Sequence, residues 1–291
     1  MKGYLVLCLL RCLEWLPLSI SRCLGKLVGS IGYRLNGRSC QVARTNLKLC
    51  FPSVAETIRE KLCQERMKHM AQTIFETPRL WRCSPLWLKK RTTEVYGLDN
   101  FKQATKNDRG TIFVVPHMGN WEVIGLWLAH QTKITSLYEP PKLVALEKWI
   151  RTCRQSSGAT LVPTSPKGIA ELLKALKKGE AAGILPDQQP PIGSGKFSTF
   201  FGCPAFTMTL IHRLIQRGKV NILFCAALRV SGGWKLYFNR PDEDIFSSKQ
   251  ENSLKALNLG VEKIVLLDPS QYLWEYERFR HGPKGSPSAY E

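Results

Sequence analysis

Acidic residues are scarce in this chain: 23 Asp and Glu stand against 42 Lys and Arg over 291 residues, a formal net charge of +19. A field of that sign recruits anionic partners, which keeps nucleic acid, anionic lipid headgroups and acidic carrier proteins in view. The charge comes without an RNA-recognition or helix-turn-helix signature and without an aromatic-basic stripe, so a non-catalytic nucleic-acid module has charge as its only support. The ten cysteines, Cys8, Cys12, Cys23, Cys40, Cys50, Cys63, Cys83, Cys153, Cys203 and Cys225, include no Cys-x-x-Cys and no paired Cys/His ligand spacing. That argues against a zinc site, and thiols scattered on apolar faces fit reduced core residues of a cytosolic compartment better than a disulfide framework. There is no Gly-x-Ser-x-Gly elbow and Cys153 has no local partner, so covalent serine or cysteine catalysis lacks support. A phosphate loop at Gly193-Ser194-Gly195-Lys196 is excluded because Pro190 takes the place of its first glycine and Phe197 that of its Ser/Thr. No repeat or low-complexity tract interrupts the chain.

The N-terminus lacks a clean apolar run. Arg11 and Glu14 break the stretch Gly3 to Ser21, and each would cost about 2.5–3.5 kcal/mol at a bilayer centre. The apolar segment Gly3 to Leu10 is short and no small-x-small cleavage site follows, which makes a poor signal peptide. Leu5, Leu9, Cys12, Leu13 and Leu16 fall on one side at helical spacing, with Arg22, Lys26, Arg34 and Arg38 downstream. This pattern reads as a helix lying in the interface of an anionic membrane with its basic flank on the cytoplasmic side; an amphipathic helix packed on the domain is the other reading.

With 44% hydrophobic residues the chain can bury a large core. Three parts are expected: a membrane-associating segment over 1–35, a main domain over 36–280 and a loose tail over 281–291. Residues Met1 to Asn100 read as mainly helical, with a basic turn through Arg34 to Arg44 and a helix over Ala55–Phe75. From Val95 short apolar strands alternate with helices. The strands are Thr111–Val115, Ile134–Tyr138, Thr160–Val162, Ala182–Leu185, Asn221–Val230 and Trp234–Asn239. The helices are Trp121–Ala129, Leu143–Gln155, Pro166–Lys177 and Ala205–Gln216. This order predicts an α/β fold with a mixed, largely parallel sheet flanked by helices, and an antiparallel hairpin at Ser231-Gly232-Gly233.

The most informative stretch is Thr111 to Ala129, TIFVVPHMGNWEVIGLWLA. Pro116 ends a buried strand, His117 follows in a loop, Gly119 and Asn120 supply a turn and an N-cap, and Glu122 falls in the first turn of the next helix. On one continuous helix residues five apart point away from each other, but across a strand-to-helix turn His117 and Glu122 can pair. A carboxylate on one imidazole nitrogen fixes the tautomer and leaves the other free to take a proton. The plainer reading is a satisfied loop histidine beside a helix-capping glutamate. The polar loop Gly183–Gly202 brings Asp187 and Gln188 to the same sheet edge, either lining the site or serving as a turn-rich connection. Arg151 and Arg154 end a helix, where one of them holds an anion or both simply cap it.

Taken together these residues resemble the lysophospholipid-type acyltransferase superfamily and, within it, the late (lauroyl/myristoyl) acyltransferases of lipid A biosynthesis. The resemblance runs nearly end to end: the apolar N-terminus, Val42 to Pro52 (VARTNLKLCFP), Pro116 to Glu122 (PHMGNWE), Arg154 to Thr164 (RQSSGATLVPT), Leu185 to Gln188 (LPDQ), Phe200 to Thr207 (FFGCPAFT) and Tyr272 to Arg280 (YLWEYERFR). It implies a glycerol-phosphate-acyltransferase-like fold. It further implies an enzyme at the cytoplasmic face of the cell inner membrane that moves a fatty acyl chain from acyl carrier protein to the hydroxyl of a hydroxyacyl chain on a Kdo-bearing lipid A precursor. The family's catalytic pair maps onto His117 and Glu122, its functional arginine onto Arg154 and its loop acid onto Asp187. Glu139 departs from the pattern, standing where relatives often carry arginine. No cofactor or metal is expected beyond the carrier thioester as co-substrate, and both partners, carrier and lipid A precursor, are anionic, as the charge demands. In this reading His117 is the base, Glu122 orients it, and Arg154 with backbone N–H groups near Gly119 and Asn120 receives the oxyanion, while Gln188 lines the site. The nearest alternative is an acyltransferase acting on another glycolipid or phospholipid hydroxyl.

Overall fold

The computed structural model describes residues 2–106, 108–141, 144–283 and 288–290. The chain begins with helices α1 (Lys2–Leu13), α2 (Leu18–Arg34), α3 (Arg38–Cys50), α4 (Glu56–Trp81) and α5 (Pro85–Arg91). Strands and helices then alternate as β1 (Thr92–Tyr96), α6 (Leu98–Thr105), β2 (Gly110–Val114), α7 (Trp121–Gln131), β3 (Ile134–Tyr138), α8 (Val144–Gln155), β4 (Thr160–Pro163), α9 (Pro166–Lys177) and β5 (Ala181–Ile184). The remainder comprises β6 (Gly195–Phe200), β7 (Cys203–Met208), α10 (Leu210–Ile215), β8 (Val220–Val230), β9 (Gly233–Asn239) and α11 (Gln250–Val265). Seven strands form one sheet in the order β1-β9-β8-β2-β5-β3-β4, parallel throughout except where β8 meets β9. Both faces of the sheet are covered. Ile112 and Val114 join one buried cluster, whereas Phe113 and Val115 join the other, and β8 alternates likewise, Ile222 and Phe224 against Leu223 and Cys225.

Several expectations require correction. The segment Ala205–Gln216 is not one helix: Cys203–Met208 is a strand paired antiparallel with Gly195–Phe200, and only Leu210–Ile215 is helical. The hairpin turns on Phe201 and Gly202, both at positive φ (47° and 78°), the two-residue geometry that matches strand twist; phenylalanine in place of the usual asparagine obscured it. The supposed basic turn Arg34 to Arg44 shrinks to the short link after Arg34, because α3 already begins at Arg38. α11 was not foreseen at all. Leu143, the expected start of α8, lies outside the described residues, as do 284–287 and Glu291 of the expected loose tail. Tyr290 of that tail donates its hydroxyl to Asn46 Oδ1 (2.6 Å) and accepts from the Phe279 N–H (3.0 Å).

The N-terminal segment is two helices, not one. Helix α1 stops at Leu13, Glu14 turns inward to Arg82 (3.3 Å), and Pro17 restarts the chain as α2. Among the described residues no helix is long and apolar enough to cross a membrane. The outward apolar row is carried by α2 at Ile20, Leu24, Leu27, Val28 and Ile31, three and four residues apart. Arg22, expected in the basic flank on the cytoplasmic side, points inward instead, to Glu76 and the carbonyls of Val230 and Gly233. Helix α2 lies so close to α4 that a Cβ at Gly25 would fall 2.6 Å from the Gln72 Cα, and one at Gly29 would fall 2.4 Å from the Met67 carbonyl oxygen.

A buried ion cluster locks these layers. Glu76 of α4 is fully buried and receives Arg229 of β8 through Nε (2.8 Å) and Nη2 (2.8 Å) and Arg22 of α2 through Nε (2.5 Å). Burial by itself would raise the Glu76 pKa, but the two guanidinium groups and its hydrogen bonds hold it below the usual carboxylate range. His69, one helical face along, accepts from Arg229 Nη1 on Nδ1 (2.8 Å). Burial, together with the charges of Arg229 and Arg66, pushes its pKa down to about 3. A histidine depressed in the folded state stabilises the fold fully above its unfolded pKa of about 6.5 and progressively less as pH falls toward 3. Calorimetric melts from pH 7 to pH 3 are therefore expected to show a falling midpoint that His69→Gln flattens; identical slopes would refute this linkage. At neutral pH Glu76→Gln, which strands two buried cations, is expected to cost about 3–5 kcal/mol of stability in a denaturant titration.

Candidate functional site

Parallel register brings the site together. Val114 of β2 pairs with Ile184 of β5, and His117 and Asp187 each lie three residues past those partners, at the carboxyl end of adjacent strands. Asp187 Oδ1 lies 2.8 Å from His117 Nδ1 and Oδ2 accepts the His117 backbone N–H at 2.8 Å. An ionised carboxylate can only accept, so Nδ1 carries the proton and Nε2 presents a lone pair. Burial would raise the Asp187 pKa, but the imidazole and these hydrogen bonds more than offset it and hold the carboxyl below its ordinary range. Gln188 sits beyond the ring with its amide 3.4 Å from Nε2, at the exposed rim.

The carboxylate on His117 is thus Asp187 and not Glu122, which corrects the pairing expected from spacing. Glu122 is in the first turn of α7, as read, but its oxygens are taken elsewhere. Arg154 of α8 clasps it through Nε (3.1 Å) and Nη2, and Trp81 Nε1 donates to Oε2 at 2.9 Å. The Arg154 guanidinium lies over the rings of Trp81 and Tyr138 at 5.8 and 5.5 Å. Burial opposes its charge, yet the facing carboxylate outweighs that and raises its pKa. Arg151 pairs with Glu147 (2.6 Å) on its own helix. Glu139 takes a hydrogen bond from Thr164 at an exposed position.

The turn between His117 and Glu122 is clamped on every side, which removes it as an oxyanion donor. Gly119 N–H bonds Gln271 O (3.0 Å), Asn120 N–H bonds Ala227 O (3.0 Å), and Leu273 N–H reaches back to His117 O (3.1 Å). Gly119 has φ +59°, and a Cβ there would fall 2.1 Å from Ala227 O, so only glycine fits. Asn120 is fully buried; its Oδ1 caps α7 at the Glu122 N–H (3.2 Å) and its Nδ2 donates to Glu76 Oε2 (2.9 Å). Asn120 and Gly119 shape the turn rather than face a substrate.

Beside His117 opens a cleft of about 400 Å³ whose walls are Leu10 of α1, Met70, Ile74 and Trp81 of α4, and Trp121, with Glu122 and Arg154 among its lining. Trp121 is shared, packing edge-on against the His117 ring at 5.0 Å. The walls of this cleft are mostly apolar, and the Arg154–Glu122 ion pair lies among its lining. Sequence reading missed Trp81 and the supporting ions Arg66, Glu76, Arg229 and Glu275. Arg66 lies in a helical run, with its carboxylate partner Glu275 209 residues away (2.7 and 2.6 Å), so no local spacing announced it.

Residues 1–281 match the family model described as bacterial lipid A biosynthesis acyltransferase. The lipid A biosynthesis palmitoleoyltransferase of Escherichia coli is 28% identical over 284 residues, covering 94% of this chain and 90% of that protein. The lauroyltransferase of the same organism is 27% identical with the same coverage, and a lipid A biosynthesis acyltransferase of Haemophilus influenzae is 29% identical over 89% of this chain and 83% of its own length.

The arrangement has a spectroscopic signature. The ¹⁵N shifts of His117 at neutral pH are expected to report the Nδ1–H tautomer, to redistribute in Asp187→Asn and to stay unchanged in Glu122→Gln. A change in the second variant alone would restore Glu122 as the partner.

Proposed function

The chain belongs to the bacterial lipid A biosynthesis acyltransferases, and on that premise we propose that it takes its acyl chain from acyl carrier protein and delivers it to a hydroxyacyl chain of a Kdo-bearing lipid A precursor. O-acyl transfer to lipid A is the activity that membership supports. The observation that carries the mechanism is the 2.8 Å contact between Asp187 and His117 Nδ1, which leaves Nε2, 3.4 Å from the Gln188 amide, as the nitrogen with a lone pair for a proton. In this reading Nε2 takes the proton of the acceptor hydroxyl as its oxygen attacks the thioester carbonyl. The carbon–sulfur bond breaks as the tetrahedral intermediate collapses, and the carrier thiolate leaves with the proton held by the imidazolium. Asp187 steadies that imidazolium. Arg154 meets the oxyanion in place of the backbone groups now seen to be occupied, and Glu122 acts as a positioning residue that holds Arg154 against Trp81. No cofactor enters this scheme.

The acyl chain lies in the cleft beside Trp121, with α1 and α4 as its walls. The protein works at the cytoplasmic face of the inner membrane, resting on the apolar row of α2, and its charge of +19 favours both the acidic carrier and the anionic acceptor. Two relatives of nearly equal identity are named for different acyl chains, so chain length is a quantity to measure.

Mass spectrometry of the purified protein with a panel of acyl-carrier thioesters and a Kdo-bearing lipid A precursor is expected to show the precursor gaining one acyl mass. His117→Ala is expected to lose about 10²- to 10⁴-fold in turnover, with Asp187→Asn falling in the same direction. Near-normal turnover of folded His117→Ala would overturn the base assignment.

A further inference from the structure

Helix α4 separates two cavities. One face of it, through Met70, Ile74 and Trp81, lines the cleft beside His117; another, through His69, Gln72 and Arg79, lines a larger cavity of about 810 Å³ bounded by α2 and the end of β8. The second cavity is strongly cationic. Five basic side chains line it, of which Arg22 and Arg229 share the single carboxylate of Glu76. Lys26, Arg79 and Arg91 make no ion pair among the described residues; Arg79 and Arg91 lie over the Trp87 ring at 5.5 and 5.7 Å. His69 adds a donor rather than a charge. Its Nδ1 accepts from Arg229, so the neutral ring carries its proton on Nε2. Gln72 Oε1, also in this wall, is buried with no hydrogen-bond partner among the described residues. Uncompensated cations and an orphaned acceptor together call for a ligand that is anionic and also carries a hydroxyl.

The rim indicates what kind of anion. Successive residues of a helix turn by about 100°, which puts Ser19, Cys23 and Lys26 of α2 on the cavity side of its exposed surface and Ile20, Leu24, Leu27 and Ile31 on the other. A helix lying in a membrane interface on such an apolar row holds its flanks at the level of the headgroups. Trp15, 69% exposed, stands at the cavity mouth, where an aromatic ring of an interfacial protein meets lipid. We propose that this cavity is a binding site for the phosphate of an anionic phospholipid, with the headgroup hydroxyl received by Gln72, separate from the cleft in which acyl transfer takes place. The site stands on its own charges and requires nothing of the reaction assigned to the His117 cleft.

The test is partitioning of the full chain onto phosphatidylcholine vesicles with and without phosphatidylglycerol, at an ionic strength of about 0.15 M, where diffuse surface attraction is screened beyond about 8 Å. Lys26→Gln with Arg91→Gln is expected to lower the phosphatidylglycerol-dependent partition about tenfold or more. Arg34→Gln with Lys48→Gln removes the same charge from exposed positions outside the cavity and is expected to change it no more than about threefold. Equal losses in the two pairs would reduce the effect to diffuse charge and overturn the site. A thermal melt gives an independent reading on the wild-type chain. A soluble short-chain phosphatidylglycerol is expected to raise the midpoint where the same concentration of inorganic phosphate does not. Equal stabilisation by phosphate would overturn the lipid assignment, and no stabilisation by either would overturn the site.

Discussion

A carboxylate with no access to water must be neutralised where it stands, and Glu76 is such a group. Its oxygens take two guanidinium groups from elements far apart in sequence, Arg22 on α2 and Arg229 on β8, and a further bond from Asn120. Because an unpaired buried charge is far more costly than a paired one, the three elements and the turn that bears His117 are held in one relative position. Thr73, one turn earlier on α4, reinforces the arrangement by donating to Gly119 O (3.1 Å) and accepting from Arg229 Nη2 (2.9 Å). The helical N-terminal third is in this way welded to the sheet, so that one face of α4 can serve as the wall of the cleft.

On that support the site divides its two acids between two bases. Asp187 takes the histidine because β5 is inserted between β2 and β3, which places the loops after β2 and β5 side by side. Glu122, fixed by the cap at Asn120, faces the other way, toward α8 and the tryptophan that ends α4. An imidazole–carboxylate pair and a guanidinium–carboxylate pair then flank Trp121, and the second places a fixed cation in the lining of an apolar cleft. The segment Gln271 to Leu273 completes the site by consuming the donors and acceptors of the His117 turn, which accounts for how a stretch so near the C-terminus bears on chemistry set up in the middle of the chain.

Much of this was legible before any coordinates. Strand β3 and helix α9 have the bounds expected from periodicity, and β2, β5, β8 and β9 differ at their ends by one residue, because a strand buried on both faces writes a continuous apolar run and a Pro or Gly closes it. The β6-β7 hairpin was not legible, since Phe201-Gly202 lacks the usual turn signature and Phe206 to Met208 suit a helix equally well. The single N-terminal helix failed for a different reason: Glu14 reads as an interruption of an apolar stripe, whereas its partner Arg82 lies 68 residues on.

The amino-acid sequence by itself determined the α/β alternation, the loop position of His117, the helical start at Glu122, and the emergence of Asp187 at the same sheet edge as His117, because these follow from local periodicity, capping and the rule that parallel strands open their loops at one end. Which carboxylate meets which base was decided only by tertiary structure. Spacing along the chain favours Glu122 for His117, but the strand order puts Asp187 three residues past the neighbouring strand, and a hydrogen bond depends on distance in space, not on separation in sequence.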